Sequence, residues 1–164
     1  MIVLGIDPGT AKMGWGVVES QAAENKKKNV VRYVDHGMIE TPATDPLPQR
    51  LLTIRDEVGK LMSDYEVGEV VIERVVFNVN KRSAISVAQA YGAVMVAAAE
   101  LEIPVHEYNS LEVKLSVAGY GRADKKSVQQ QVKCKLCLKK CPTPNHAADA
   151  LAVALCHILK DYAA

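Results

Sequence analysis

Acidic side chains end two of the most apolar segments of this 164-residue sequence. Asp7 follows the first apolar run of the chain, and Glu73 follows a β-branched run of valine and isoleucine. His146 and Asp149 stand three positions apart, a spacing that places both on one face of a helix. Three carboxylates in one pocket repel one another unless cations are present, and hard oxygen ligands around an open site suit Mg²⁺ or Mn²⁺.

A site of this composition has a definite chemistry. Two divalent ions about 3.5–4 Å apart activate a water molecule and stabilise the leaving oxygen in phosphodiester hydrolysis. His146 would serve there as a metal ligand or as the group that orients and deprotonates the attacking water. The four residues predict a metal-dependent hydrolytic site, provided that the fold brings them together.

Each of the four residues also has an ordinary structural explanation. Asp7 suits the Pro-Gly turn that follows it, and Glu73 suits a surface ion pair with a neighbouring cation. Asp149 would interact favourably with the dipole at the start of a helix, and His146 would then be an exposed first-turn residue. These explanations account for each residue alone, but they do not account for the joint placement.

The elements that must position these residues follow from the spacing of apolar side chains. The sequence predicts strands at residues 2–7, 14–20, 30–40, 69–73 and 103–107. It predicts helices at about 48–65, 83–100, 110–117, 125–138 and 146–162, and a hairpin loop at 21–29. This order indicates an α/β fold with a five-stranded mixed sheet, an antiparallel meander plus parallel strands, flanked by helices.

The predicted topology explains how the acidic residues could meet. If the first and fourth strands are neighbours, Asp7 and Glu73 lie side by side at the end of the sheet. Ala147 and Ala148 are small enough for the last helix to approach that sheet closely. The helix would then bring its first-turn acid and histidine to the same point.

Composition limits the class of protein. An apolar fraction of 49% and a charged fraction of 24% are ordinary for a soluble globular protein, and we expect residues 1–164 to form a single domain. No apolar run is long enough to cross a bilayer, and the N-terminus lacks the basic region of a signal peptide, so we expect a cytoplasmic protein without membrane contact. The net charge of +1 does not exclude nucleic acid, because a local basic face is sufficient.

Three of the four cysteines, Cys134, Cys137 and Cys141, lie close together in the sequence. With His146 they could form a Cys3His zinc site, although no second cysteine pair supports one. We favour the simpler interpretation, a helix face that ends in small apolar side chains. Cys156 has the surroundings of a core residue.

Short motifs along nearly the whole chain carry a family resemblance. In order they are Gly5-Ile-Asp-Pro-Gly9 with Gly14-Trp-Gly16, Val71-Ile-Glu73, Ser83-Ala84, Gln89-Ala-Tyr-Gly92, Val113-Lys114, Gly119-Tyr-Gly121, Ala123-Asp-Lys125 and His146-Ala-Ala-Asp-Ala-Leu-Ala-Val-Ala154. Any one of them is weak, but all of them at these spacings are a strong signal. Taken together, they resemble the RuvC family of bacterial Holliday junction resolvases.

The resemblance implies an RNase H-like fold, a homodimer and cleavage of four-way DNA junctions in recombination and repair. Two active sites would make paired symmetric nicks that leave 5′-phosphate and 3′-hydroxyl ends. It implies Mg²⁺ as cofactor, two ions per subunit, with Mn²⁺ as a substitute. The branch-migration proteins RuvA and RuvB are partners implied by the family alone.

The family's catalytic and metal-binding acids correspond to Asp7, Glu73 and Asp149. The fourth family position, held by aspartate in some members and histidine in others, falls on His146. The alanine-rich helix from Ser83 onward corresponds to the element through which the family dimerises, although its composition suits a buried crossover helix as well.

Two lysines correspond to DNA-contacting positions of the family. Lys114 and Lys125 would offset the repulsion between a carboxylate site and phosphate, which would make DNA binding sensitive to salt. Gly119 and Gly121 allow the backbone to approach a DNA strand closely.

The sequence departs from the family pattern beside the glutamate. Where the family commonly carries a stacking aromatic three residues after that acid, this chain has Val76, followed by Phe77. The ring of Phe77, next to the cations Lys81 and Arg82, suits stacking on a splayed base, and a core position is its alternative. The cysteine cluster is not part of the family pattern either.

Three other functions are alternatives. The stretch around Asp7 also resembles the first phosphate loop of actin-like and Hsp70-like ATPases, but a second glycine-rich phosphate turn is missing. A YqgF-like RNA nuclease has a similar opening, and the long helix from Ser83 with Lys114 and Lys125 favours RuvC over it. A junction-binding protein that does not cut is the third alternative, and the filled acidic positions speak against it.

Overall fold

The computed structural model describes residues 1–21, 30–74 and 81–161, without the side chains of 81–83 and 161. The elements in chain order are β1 (Ile2–Asp7), β2 (Lys12–Gln21), β3 (Val30–Glu40), α1 (Leu47–Asp64), β4 (Glu69–Glu73), α2 (Lys81–Glu100), β5 (Val105–Tyr108), α3 (Ser110–Ala118), α4 (Lys125–Lys135) and α5 (Asn145–Asp161). Each predicted strand and helix is present. Most of the predicted hairpin loop and the segment with Val76 and Phe77 fall outside the described residues.

The strands form one mixed sheet in the order β3-β2-β1-β4-β5. β1 pairs antiparallel with β2, and β2 with β3, whereas β1 with β4 and β4 with β5 are parallel. This confirms the predicted meander joined to parallel strands. Ile6 pairs with Ile72, so the residues that follow them, Asp7 and Glu73, end neighbouring strands at the same edge.

Alternation along the strands divides the apolar side chains between two layers of helices. Leu4 and Ile72 belong to a core on the face covered by α1 and α2. Val3 and Val71 belong to a second core with α3, α4 and α5 on the opposite face. Because side chains two residues apart share a face, Asp7 and Glu73 project toward the layer that contains α5.

Glycines in the sheet allow α5 to lie directly on it. A Cβ built at Gly5 would stand 2.1 Å from the carbonyl oxygen of Ala150, and one at Gly14 would stand 2.0 Å from the carbonyl oxygen of His146. Gly14 is also the residue that pairs with Asp7 across the β1–β2 ladder. The close approach that the small residues of α5 predicted is therefore made by glycines of the sheet as much as by alanines of the helix.

Most element boundaries differ from the prediction by one to three residues, and two of these differences have a visible cause. β5 begins at Val105, because the amide of Ile103 donates to the carbonyl of Ala98 and so finishes α2. α4 ends at Lys135, three residues early, and Cys137 adopts a left-handed φ of 53° beyond it. No helix among the described residues is long and apolar enough to cross a membrane.

The early end of α4 changes the interpretation of the cysteines. Cys134 lies in the helix, but Cys137 and Cys141 follow its end, so the predicted helix face is wrong for those two. Cys134 and Cys137 are exposed and Cys141 is partly buried. Cys156 is fully buried, which confirms its predicted place in the core.

Candidate active site

The candidate site is assembled where two parallel strands end and one helix begins. β1 and β4 deliver Asp7 and Glu73 to the same edge of the sheet. The amides of Ala147 and Ala148 donate to the carbonyl of Pro144, which closes the first turn of α5 at that edge. His146 and Asp149, in this first turn, are thereby directed toward the strand ends.

Three of the predicted side chains lie close enough together to share a metal ion. His146 Nδ1 lies 2.7 Å from Asp7 Oδ2 in a hydrogen bond that spans 139 residues of sequence. The ligand atoms of Asp7, His146 and Asp149 all lie within 4.8 Å of one another. Lys125 Nζ donates to Asp149 Oδ2 over 2.5 Å, so an ammonium group already balances one carboxylate.

Glu73 lies beside this group in an adjoining cavity of about 280 Å³. Asp149 and Lys125 also line the cavity, which makes it continuous with the triad. A hydrogen bond from the Ser110 side chain reaches the Glu73 carboxylate. We did not predict Ser110, although one signal was available: it opens α3 directly after β5, whose end lies at the same edge of the sheet.

Two carboxylates of the site, those of Asp7 and Glu73, are destabilised as anions. Burial raises the pKa of Asp7, and the neighbouring Asp149 raises it further, against the opposing effect of the His146 hydrogen bond. Burial likewise raises the pKa of Glu73, with added repulsion from Asp7 and Asp149. Such mutual repulsion in a partly buried pocket is the arrangement that a bound cation relieves.

The donor set fits a hard divalent cation. Asp7, Glu73 and Asp149 offer carboxylate oxygens, the ligands that Mg²⁺ and Mn²⁺ prefer, and His146 offers one imidazole nitrogen. A neighbouring wall of the cavity carries the two predicted DNA-binding lysines, Lys114 and Lys125. The remaining predicted contacts, Phe77 and the side chains of Lys81 and Arg82, lie outside the described part of the chain.

Comparison with known proteins identifies the family. The family described as "Crossover junction endodeoxyribonuclease RuvC" matches residues 3–157, which is nearly the entire chain. The chain belongs to the RuvC family. This membership favours a RuvC function over the YqgF-like and ATPase alternatives.

Curated RuvC relatives match over almost their full length. The RuvC crossover junction endodeoxyribonuclease of Desulfitobacterium hafniense (strain DSM 10664 / DCB-2) is 47% identical over 157 residues, covering 96% of this chain and 92% of the relative. That of Clostridioides difficile (strain 630) is 45% identical, covering 96% and 89%.

Solved structures agree with the RuvC assignment. A structure of Thermus thermophilus RuvC in complex with Holliday junction substrate has a TM-score of 0.91 and 36% sequence identity, covering 99% of this chain and 96% of that one. A second Thermus thermophilus RuvC structure has a TM-score of 0.89 and 35% identity, covering 98% of this chain and 95% of that one. The agreement confirms the predicted RNase H-like fold for the α/β arrangement described above.

Proposed function

We propose that this chain is a divalent-metal-dependent endonuclease that resolves four-way DNA junctions in homologous recombination and DNA repair. It cuts by paired symmetric nicks that leave 5′-phosphate and 3′-hydroxyl ends. The observation that carries the proposal is the convergence of Asp7, Glu73 and Asp149 beside two lysines in a chain of the RuvC family. A relative of this family has been solved with its Holliday junction substrate.

The four site residues hold the metal in this proposal. Asp7, Glu73, Asp149 and His146 would bind two Mg²⁺ ions per subunit, and Mn²⁺ would substitute for them. When bound, the ions supply an activated water and stabilisation of the leaving oxygen. The support is the donor set and the raised pKa values of Asp7 and Glu73, which a cation would lower.

The chain's own side chains have distinct tasks at this site. Asp7 fixes the ring of His146 through Nδ1, and the His146 side chain is 45% exposed. Its Nε2 atom would serve in one of two ways, as a metal ligand or as the acceptor of a proton from the attacking water. The ammonium group of Lys125 pairs with Asp149 where a metal ion would otherwise balance the charge, and it can move from that carboxylate to a DNA phosphate. Ser110 holds the carboxylate of Glu73 in place.

DNA binding would use cations around the cavity. Lys114 and Lys125 line it beside the acids, where they can neutralise a backbone phosphate that approaches the site. The family resemblance assigns the same general role to Lys81 and Arg82, and it assigns base stacking to Phe77. Because these contacts neutralise phosphates, binding should weaken as salt concentration rises.

A homodimer would supply the two active sites that paired nicks require. Along α2, the residues Ile85, Gln89, Gly92, Val96 and Ala99 are all exposed and recur at intervals of four and three. This is the spacing of a coiled-coil seam, and its glycine and alanine permit close helix approach. Ile85 and Val96 are 58% and 54% exposed, so the seam presents apolar surface that a second subunit could cover.

The remaining features of the proposal rest on the family. Residues 1–164 act as one nuclease domain in the cytoplasm, and RuvA and RuvB act on the same junction. None of the described residues identifies the surface on which those partners would dock.

A comparison of substrates tests the proposed function. The native protein in Mg²⁺ is given a mobile four-way junction, a linear duplex of the same sequence and a structured RNA, each end-labelled. We expect paired symmetric nicks in the junction alone. Cleavage of the RNA in preference would support the YqgF-like alternative. Binding of the junction without cutting, in both Mg²⁺ and Mn²⁺, would support the non-catalytic alternative.

A further inference from the structure

A second group of metal-binding side chains lies at the opposite end of the same sheet. Glu69 is the first residue of β4, whereas Glu73 is the last, so the two carboxylates are separated by roughly 13 Å at about 3.3 Å per residue. His106 on β5 and His157 near the end of α5 meet Glu69 there. α5 thus contributes one histidine to each group, His146 near its start and His157 near its end.

The three donor groups are already close to the spacing of a metal site. Glu69 Oε2 lies 2.5 Å from His157 Nε2 and 3.8 Å from His106 Nε2, and all three ligand atoms lie within 4.8 Å of one another. Ligands at about 2.0–2.1 Å around a tetrahedral zinc ion are about 3.3 Å apart. The observed separations of 2.5 and 3.8 Å lie on either side of this value.

A hydrogen bond behind the donor group is compatible with the tautomer that metal binding requires. Tyr108 Oη lies 3.0 Å from His157 Nδ1. With a metal on Nε2, the proton of the neutral imidazole must be on Nδ1, where it donates to the tyrosine oxygen. Metal-bound histidines are regularly oriented by such a partner on the other ring nitrogen. The Tyr108 contact gives His157 this partner from the neighbouring strand.

His106 supplies the observation that the hydrogen bonds leave unexplained. Its Nε2 atom is buried and finds no hydrogen-bond partner among the described residues. A buried polar atom without a partner is costly, and the hydrogen bond between Glu69 and His157 does not relieve it. The ring of His106 lies 4.5 Å from that of His157, and 40% of its side chain is exposed, so the buried nitrogen lies near the protein surface.

We propose that Glu69, His106 and His157 form a binding site for Zn²⁺ or a similar transition-metal dication. Two imidazoles and one carboxylate, with a fourth position open to water, suit zinc and not Mg²⁺, which prefers oxygen ligands. The ion would fasten β4 and β5 to the end of α5. The site is independent of the proposed nuclease chemistry, since the two groups share no residue.

Cobalt titration of the whole chain tests the site, with excess Mg²⁺ present. We expect one Co²⁺ per chain with visible absorption bands of a four- or five-coordinate ion and no thiolate charge-transfer band, displaced by Zn²⁺. His106→Gln should weaken this binding at least tenfold, whereas the matched control His146→Gln, in the other histidine group, should retain it. Equal affinity in His106→Gln, or Co²⁺ uptake that depends only on His146 or the cysteines, would overturn the proposal.

Thermal unfolding gives a second readout that does not depend on nuclease activity. Zn²⁺ should raise the Tm of the native protein and leave that of His106→Gln unchanged. Glu69→Gln is the second variant, because its amide can keep a hydrogen bond to His157 while it loses the carboxylate ligand. The metal-free Tm of each variant shows that it folds. A Tm rise of the same size in all three proteins would contradict the site.

Discussion

His146 Nδ1 lies 2.7 Å from Asp7 Oδ2 and so joins the end of the first strand to the start of the last helix. The contact exists because α5 rests on the sheet at Gly14, the residue that pairs with Asp7. The position of His146 therefore depends on Gly14, because any larger residue there would push the start of α5 away from the sheet.

Gly14→Ala should damage both the fold and the site. Its Cβ would stand 2.0 Å from the carbonyl oxygen of His146, so α5 must move away. We expect a loss of about 1–3 kcal/mol in the free energy of unfolding, the usual cost of overpacking, and weaker junction cleavage.

The matched control is Gly59→Ala in α1, where a Cβ would meet no atom within 4 Å. This substitution should stabilise the protein by roughly 0.5–1 kcal/mol, because alanine is the better helix former, and cleavage should be unchanged. Chemical denaturation measures both variants. Equal stabilities would show that the close approach of α5 does not constrain the fold.

Glu73→Gln should stabilise the metal-free protein while it abolishes cleavage. Burial and the carboxylates of Asp7 and Asp149 raise the pKa of Glu73 above its ordinary value of 4.5. The Glu73 carboxyl group therefore binds its proton more tightly in the folded state than in the unfolded state. This difference stabilises the folded state below pH 4.5, and the stabilisation is lost as pH rises through the folded-state pKa. Glutamine does not ionise, so the variant does not lose this stability at pH 7.

Thermal unfolding in EDTA at pH 7 and at pH 4 measures the effect. At pH 7 we expect the free energy of unfolding of the variant to exceed that of the native protein by about 0.5–2 kcal/mol. This difference should shrink at pH 4. At this chain length about 2–4 °C in Tm corresponds to 1 kcal/mol. Glu57→Gln, an exposed position of α1, is the control and should change neither value. A native protein that is more stable than Glu73→Gln at pH 7 would disprove the repulsion.

Lys125→Ala should weaken junction binding and reduce its dependence on salt. If Lys125 contacts one phosphate, the slope of log K against log salt should fall by about 0.9. Lys126→Ala is the matched control, because the adjacent side chain lines a different cavity, with Tyr120 and Asp124. Binding isotherms at several salt concentrations separate the two lysines. An unchanged slope in Lys125→Ala would show that Lys125 does not neutralise a DNA phosphate.

Val96→Glu should convert the protein to a monomer. The side chain is 54% exposed in the proposed α2 seam, where two carboxylates would face each other across the dimer. Leu52→Glu in α1 is the control, because Leu52 is 53% exposed and lies outside the seam. Sedimentation velocity should show a dimer for the native protein and the control. A dimer in all three proteins would place the interface outside this seam. A native monomer would exclude the dimer.

The sequence predicted the elements and the acidic positions because both depend on local spacing. The period of apolar side chains located all ten elements. Their succession predicted the meander, whereas the pairing of β1 with β4 was only assumed and is established by the structure. Asp7 and Glu73 were recognisable because each ends an apolar run. Their shared face follows from the alternation of the strand, so the convergence of the acids needed little beyond the topology.

Other features depend on packing that spacing does not encode. Ser110 reaches Glu73 only because β5 pairs with β4. Its place directly after β5 is the one local signal, and that place alone does not indicate a contact with Glu73. Glu69 and His157 are 88 residues apart, and their meeting depends on the direction in which α5 crosses the sheet. The early end of α4 depends on a single left-handed residue, Cys137, where the spacing of apolar residues continues the helix.

The most direct test of the nuclease mechanism is cleavage of a mobile four-way junction in Mg²⁺ by the native protein and by Asp7→Asn. The amide keeps the size of the side chain and removes the charge that would hold metal. Asp56→Asn, an exposed acid of α1, is the control. We predict paired symmetric nicks from the native protein and the control, and a loss of at least about 100-fold in Asp7→Asn with junction binding retained. Undiminished cleavage by Asp7→Asn would contradict the proposed metal site.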